Sequence, residues 1–180
     1  MGVDAERALK ELLGKLSLDE QGRLVLGNVP MIITTREFVA LVQKIAEEIL
    51  GNMGAATLMY RVGFQAAYSF AEAQAKLFGL RGFEVLEKYL SIASVRGWWS
   101  GYEIVELSEE PLKAVVRLYN TIAEEWKGAG RTVCHLWRGG LAGIVKFVAD
   151  AMGKKVNVRG VEKACIAKGD PYCEIVVEQV

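Results

Sequence analysis

Gly160–Val177 reads GVEKACIAKGDPYCEIVV. The Gly-Asp step at 169–170 falls between two runs of extended-favouring residues, which predicts two antiparallel strands closing the chain as a hairpin. Cys165 and Cys173 stand on either side of KGDPY, and Glu162 lies three residues ahead of the first cysteine. The third cysteine, Cys134, sits in RTVCHLWRGG at the predicted start of a helix, Cys134–Met152, stopped by Gly153.

Upstream of that helix, GYEIVELSEEPLKAVVRLY predicts two more strands around a turn at SEEP, followed by a short helical piece, NTIAEEW. Nearer the start, residues 4–17 have an amphipathic helical pattern (Ala8, Leu9, Leu12, Leu13, Leu16), and GRLVLGNVPMIIT reads as a hairpin broken at Gly27-Asn28. Thr34 with Glu37 has the spacing of a capping box and opens a helix that Gly51 would stop. A long helix follows over MGAATLMYRVGFQAAYSFAEAQAKLF, apolar around much of its circumference, and then a further one near 82–94. Helices on one side and hairpins pairing into one antiparallel sheet indicate an α+β class. The expected organisation is a single domain over 1–180, with the helical stretch in 1–21 peripheral.

Composition narrows the function classes. The 180 residues are 52% hydrophobic and carry 22 basic against 22 acidic side chains, so no net field steers nucleic acid or anionic membrane. No apolar run is long enough for a membrane span, and the start lacks a secretory pattern, which leads to an expected cytoplasmic location. There, three cysteines point to metal or redox chemistry more than to a disulfide framework. Catalysis has little support: one histidine, no nucleophile elbow and no dinucleotide fingerprint.

Zinc takes thiolates at about 2.3 Å and four ligands in structural sites. Two cysteines flanking a hairpin turn can converge, and a third can arrive from the start of a helix. Glu162, His135 and Asp170 are the available fourth donors. Residues three apart in a regular strand face opposite ways, so Glu162 and Cys165 converge only through a turn or bulge, which Gly160 would permit. His135 follows Cys134 directly and diverges from it by about 100° on a helix, so a solvent-facing or hydrogen-bonded role fits it better. Spacing alone leaves two readings open, a metal site and three small buried thiols.

The C-terminal third, from NTIAEEW to CEIVV, together with LMYRVGFQAA and RGWWSGYEIVEL, resembles the 4-vinyl reductase domain family, with its E-x-x-C, seven residues, C, and an upstream Cys at a helix start. The likeness runs from about Gly22 onward. It implies the α+β fold shared with transport-protein-particle subunits and haem nitric-oxide-binding-like domains, and a homodimer. It further implies a structural zinc on Cys134, Glu162, Cys165 and Cys173 beside a pocket for a small hydrophobic ligand. Aromatic-responsive activators of this kind carry ATPase and helix-turn-helix modules after the sensory domain. No such element follows here, so no direct nucleic-acid contact is expected. The family name raises the alternative of a reductase or accessory factor in tetrapyrrole synthesis, and the transport-particle relatives that of a structural assembly subunit.

The ligand pocket is expected between the central helix (Leu58 to Phe78) and the sheet, closed by the helix carrying Gly139 and Gly143. Tyr60, Arg61, Phe64, Trp98 and Gly143 are the candidate contacts. Trp98 and Trp99 would point to opposite faces if they lay in a strand.

Overall fold

The computed structural model describes residues 5–180. Helix α1 (Ala5–Leu13) buries Leu12 and ends at Gly14, whose N–H reaches the Lys10 carbonyl at 3.0 Å. The predicted helix ran on to residue 17, and its first residue, Asp4, lies outside the described residues. Leu16–Leu18 instead form strand β1, antiparallel to β2 (Leu24–Leu26), which pairs with β3 (Val29–Pro30) around Gly27-Asn28. These three strands make a small sheet of their own rather than joining the main one. Leu12, Leu26 and Ile92 pack together beneath it.

Helix α2 (Arg36–Phe78) is capped by Thr35, whose hydroxyl accepts the Phe38 N–H at 3.1 Å. The cap is thus one residue later than the Thr34–Glu37 pairing predicted. Gly51 breaks the helix with φ 68° and ψ 167°, a conformation open to glycine. The predicted stop is real, and the chain resumes as a second helical segment without a loop. Helix α3 (Glu84–Val95) follows, and Gln74 of α2 donates to the Val85 carbonyl at 3.2 Å.

The main sheet has the order β4-β5-β7-β6, antiparallel throughout, with β4 Gly101–Glu109, β5 Leu112–Tyr119, β6 Val158–Ala164 and β7 Cys173–Gln179. On β7, Cys173, Ile175 and Val177 are buried while Glu174 faces out and pairs with Arg117 at 2.8 Å, the alternation of a sheet covered on one face. Helix α4 (His135–Ala151) lies on the covered face and buries Leu141, Ile144, Val145 and Val148.

Close approach explains the glycines. A Cβ built on Gly139 would sit 2.1 Å from the Tyr60 carbonyl oxygen, on Gly143 2.2 Å from that of Phe64, and on Gly63 1.9 Å from that of Leu136. Helices α2 and α4 therefore cross at backbone contact. On the other side of α4, a Cβ on Gly160 of β6 would meet the Arg138 oxygen at 2.0 Å. The architecture is α+β: an antiparallel sheet, α4 against it, and α2 against α4. Among the described residues no helix is long and apolar enough to cross a membrane.

Candidate metal centre and the adjoining cavities

Four side chains from three places in the chain meet under the sheet. Cys134 is the N-cap of α4, Glu162 comes from β6, Cys165 directly follows β6, and Cys173 opens β7. Their donor atoms all lie within 4.8 Å of one another, and all four residues are buried. Such a cluster can hold a metal ion.

Local structure makes the convergence possible. The β6–β7 register passes from Glu162↔Ile175 to Ala164↔Glu174, leaving Lys163 as the extra residue of a bulge. The required bulge is therefore at Lys163, not at Gly160, whose role is to admit the Arg138 carbonyl. A 3-10 turn (Ile166–Lys168) and Gly169 then carry the chain back to Cys173. Asp170 accepts the Cys165 N–H at 2.8 Å; it shapes this turn and lies outside the cluster.

The cysteines are free thiols. Cys134 and Cys173 sulfurs are 3.3 Å apart and Cys173 and Cys165 sulfurs 4.0 Å apart, far beyond the roughly 2.05 Å of a disulfide. Tetrahedral thiolates at about 2.3 Å from one zinc stand about 3.8 Å apart, and the observed spacings bracket that value. One carboxylate oxygen of Glu162 accepts the Cys134 N–H at 3.0 Å. The other, Oε1, is buried with no hydrogen-bond partner among the described residues. A buried acceptor left unsatisfied is costly, and a cation beside it would remove the cost. The donor set fits a metal.

Protonation is consistent with that fit. Burial, then the neighbouring Cys165, pushes the Glu162 carboxyl up to about 9. The Cys173 thiol is drawn down to about 4 by hydrogen bonds from Cys134 and Cys165, helped by the Thr121 hydroxyl and the Ile166 amide. The same thiol contacts raise Cys134. The metal-free cluster therefore keeps protons on Glu162 and Cys134 at neutral pH and concentrates its negative charge on Cys173. For folding, the raised Glu162 contributes stability that is full below its ordinary 4.5 and is lost as pH rises toward 9. The depressed Cys173 contributes stability that is present above its ordinary 9.0 and is lost as pH falls toward 4. The two act with opposite sign over overlapping windows in the metal-free protein. Metal uptake has its own pH dependence, because it displaces the protons that the donors hold, those of Glu162 and Cys134 among them. Apparent zinc affinity, read by competition with a chromophoric chelator, is expected to rise steeply, by about 100-fold or more per pH unit, between about pH 6 and 8. An affinity flat with pH would contradict these protonation states.

His135, expected to face solvent or a hydrogen-bond partner, is instead buried at 7% exposure and outside the cluster. Burial, then nearby Arg138, pushes it down to about 4, and its Nδ1 has no partner among the described residues. Thr121 was not legible as part of the site. Its hydroxyl lies 3.3 Å from the Cys173 sulfur and accepts the Ala123 N–H at 3.1 Å.

Away from the cluster, two cavities share Met31, Ile32, Arg96 and Trp98. One, of about 260 Å³, lies between α1, the 31–36 segment and the 95–98 turn; the other, of about 280 Å³, reaches Phe70, Tyr89 and Trp137. Trp137 links them to the metal-ligand cluster. It stands one turn into the helix that Cys134 begins, and packs edge-on against Trp98 at 4.5 Å and Trp99 at 4.8 Å between ring centroids.

A family model described as "Domain of unknown function (DUF5943)" matches residues 15–105, half of the chain. The chain belongs to this family. The family segment contains Arg36, Arg96 and Trp98 of the cavities and none of the four cluster residues. No curated protein matches the chain in sequence. Solved structures share its fold. The phenol-responsive sensory domain of the transcription activator PoxR, with phenol, superposes with TM-score 0.80 at 19% identity, over 99% of this chain and 92% of that one. Subunit 3 of a trafficking protein particle complex from Naegleria fowleri, covalently bound to palmitic acid, gives 0.57 at 13%, over 81% and 95%. A vinyl-4-reductase family protein from Methanocaldococcus jannaschii gives 0.54 at 18%, over 83% of each. The resemblance to 4-vinyl reductase domains is thereby met at the level of fold, which is what identities this low show.

Of the ligand contacts expected from sequence in this member of the family, Trp98 lines both cavities, and Tyr60, Arg61, Phe64 and Gly143 line neither. The Tyr60 hydroxyl accepts the Gly160 N–H at 3.1 Å, Tyr60 stacks with Phe64 at 6.4 Å, and Arg61 is exposed. Backbone of α2, not a ligand, meets Gly143. Trp98 and Trp99 lie in a turn, not a strand, so both reach Trp137. Trp99 is the buried one, its Nε1 donating to the Leu90 carbonyl at 3.1 Å.

Proposed function

We propose that the chain is a non-catalytic, zinc-stabilised and homodimeric module that binds a small, mainly apolar molecule in the cytoplasm. The pair of apolar cavities meeting at Trp98 carries this reading. Each lies near the lower end, about 300 Å³, of the range for small-molecule sites. Zinc on Cys134, Glu162, Cys165 and Cys173 would fill four positions and leave none open for substrate, as in structural centres. Its chemistry there is charge neutralisation: it lets all four donors be deprotonated in a buried place. By fixing the start of α4, these residues hold Trp137, and with it the cavity wall.

Two of the structures that share the fold hold phenol and palmitic acid, which supports an apolar ligand. A panel of alkylphenols, alkylbenzenes, isoprenoid alcohols and fatty compounds tests the reading by thermal shift. A true ligand at about a hundred times its Kd adds about 2.7 kcal/mol, which raises the melting temperature by about 5–10 °C. Met31→Trp, which fills the shared wall, is expected to remove the shift and leave the metal in place. No shift with any compound would contradict the reading. Gly143→Leu does not probe the cavity cleanly, because its side chain would collide with the α2 backbone.

A further inference from the structure

We infer that the cavity between α1 and the α2 N-terminus selects a small apolar molecule bearing a carboxylate, received by Arg36; this deepens the binding-module reading and rests on it. The two side chains there with full charge are both cations, Arg36 and Arg96, and no acidic residue lines either cavity. Arg36 is the first residue of α2. Its Nε and Nη2 atoms are buried with no hydrogen-bond partner among the described residues. Guanidinium donors withdrawn from water ordinarily have an acceptor, and these two occupy adjacent prongs of the fork that matches a carboxylate. Arg96 is otherwise engaged, with its guanidinium 5.2 Å from the Phe70 ring centre.

The surroundings reinforce the sign. Thr34 and Thr35 line the same cavity beside Arg36, and a helix N-terminus favours negative charge. Most of the remaining wall is apolar, including Leu12, Leu24, Val39 and Trp98, which suits an alkyl chain or a ring. An apolar neutral molecule would fill the volume and leave the guanidinium atoms unsatisfied. A carboxylate satisfies them.

The test uses calorimetry on the full chain at neutral pH with matched probes: octanoate against 1-octanol, and 4-propylbenzoate against 4-propylphenol. At least one acid is expected to bind about tenfold or more tightly than its neutral partner, and which acid does so tells chain from ring. Arg36→Gln should abolish that preference while neutral-probe affinity stays within about threefold, and Arg36→Lys should restore part of it. Arg36 Nε and Nη2 have no hydrogen-bond partner to lose among the described residues, and circular dichroism with the metal content confirms that the variants fold. Equal binding of acid and neutral probes, or a preference that survives Arg36→Gln, overturns the inference and leaves the binding module standing. Failure of all four probes and of the wider apolar panel overturns both.

Discussion

Cys173→Ser is expected to lose the bound metal and to lower the melting temperature by about 8–16 °C. An ion held at about a thousand times its Kd contributes about 4 kcal/mol, and in a domain this size each kcal/mol moves the midpoint by about 2–4 °C. Cys173 is the central donor, within 4.0 Å of both other sulfurs and fully buried. A strong chelator gives the internal control. Chelated wild type should melt near the variant, and added zinc should restore the wild type alone. A chelator that leaves the wild-type midpoint unchanged would show that the cluster is three buried thiols and a protonated carboxyl.

The second large effect is on mass. The inner face of the first segment of α2 is tied down: Ala40 is buried and Gln43 donates to the Val133 carbonyl at 3.0 Å. The outer face is apolar and open. Phe38, Leu41, Val42, Ile45 and Ile49 recur at helical spacing, with Ile49 74% exposed, and Met53 continues the line past Gly51. A second copy laid on this stripe by a two-fold axis buries the same residues on both chains, and a stable interface needs about 800 Å² from each. Ile45→Glu with Ile49→Glu places charge in that seam at little cost to the monomer, because both side chains are exposed there. Light scattering should give near twice 19.8 kDa for the wild type and 19.8 kDa for the variant. A wild type already at the single-chain mass at micromolar concentration would contradict the dimer.

The α+β class and the strand pairs were legible because period and turn chemistry agree along most of the chain, as at Gly51 and Gly169. Where they failed, the reasons are local. Thr34 and Thr35 are identical candidate caps, and only tertiary packing chooses between them. Leu16 suits a helix face and a strand equally, until its pairing with Leu26 decides. The bulge demanded by Glu162 and Cys165 was deducible from strand parity. Its place was not, since a bulge does not require the glycine at 160. The cavities were least legible. They are lined from α1, the 31–36 segment and the 95–98 turn, stretches far apart in sequence with no shared period. Gly139 and Gly143 of α4, expected to close the pocket, are met instead by the backbone of α2.

Native mass spectrometry of the purified, unchelated protein tests most directly whether Cys134, Glu162, Cys165 and Cys173 form a closed metal centre. One zinc ion per chain, retained by the wild type and absent from both Cys173→Ser and Glu162→Ala, is the predicted result. A folded wild-type chain at its bare polypeptide mass, with all three thiols reacting once it is denatured, would contradict it.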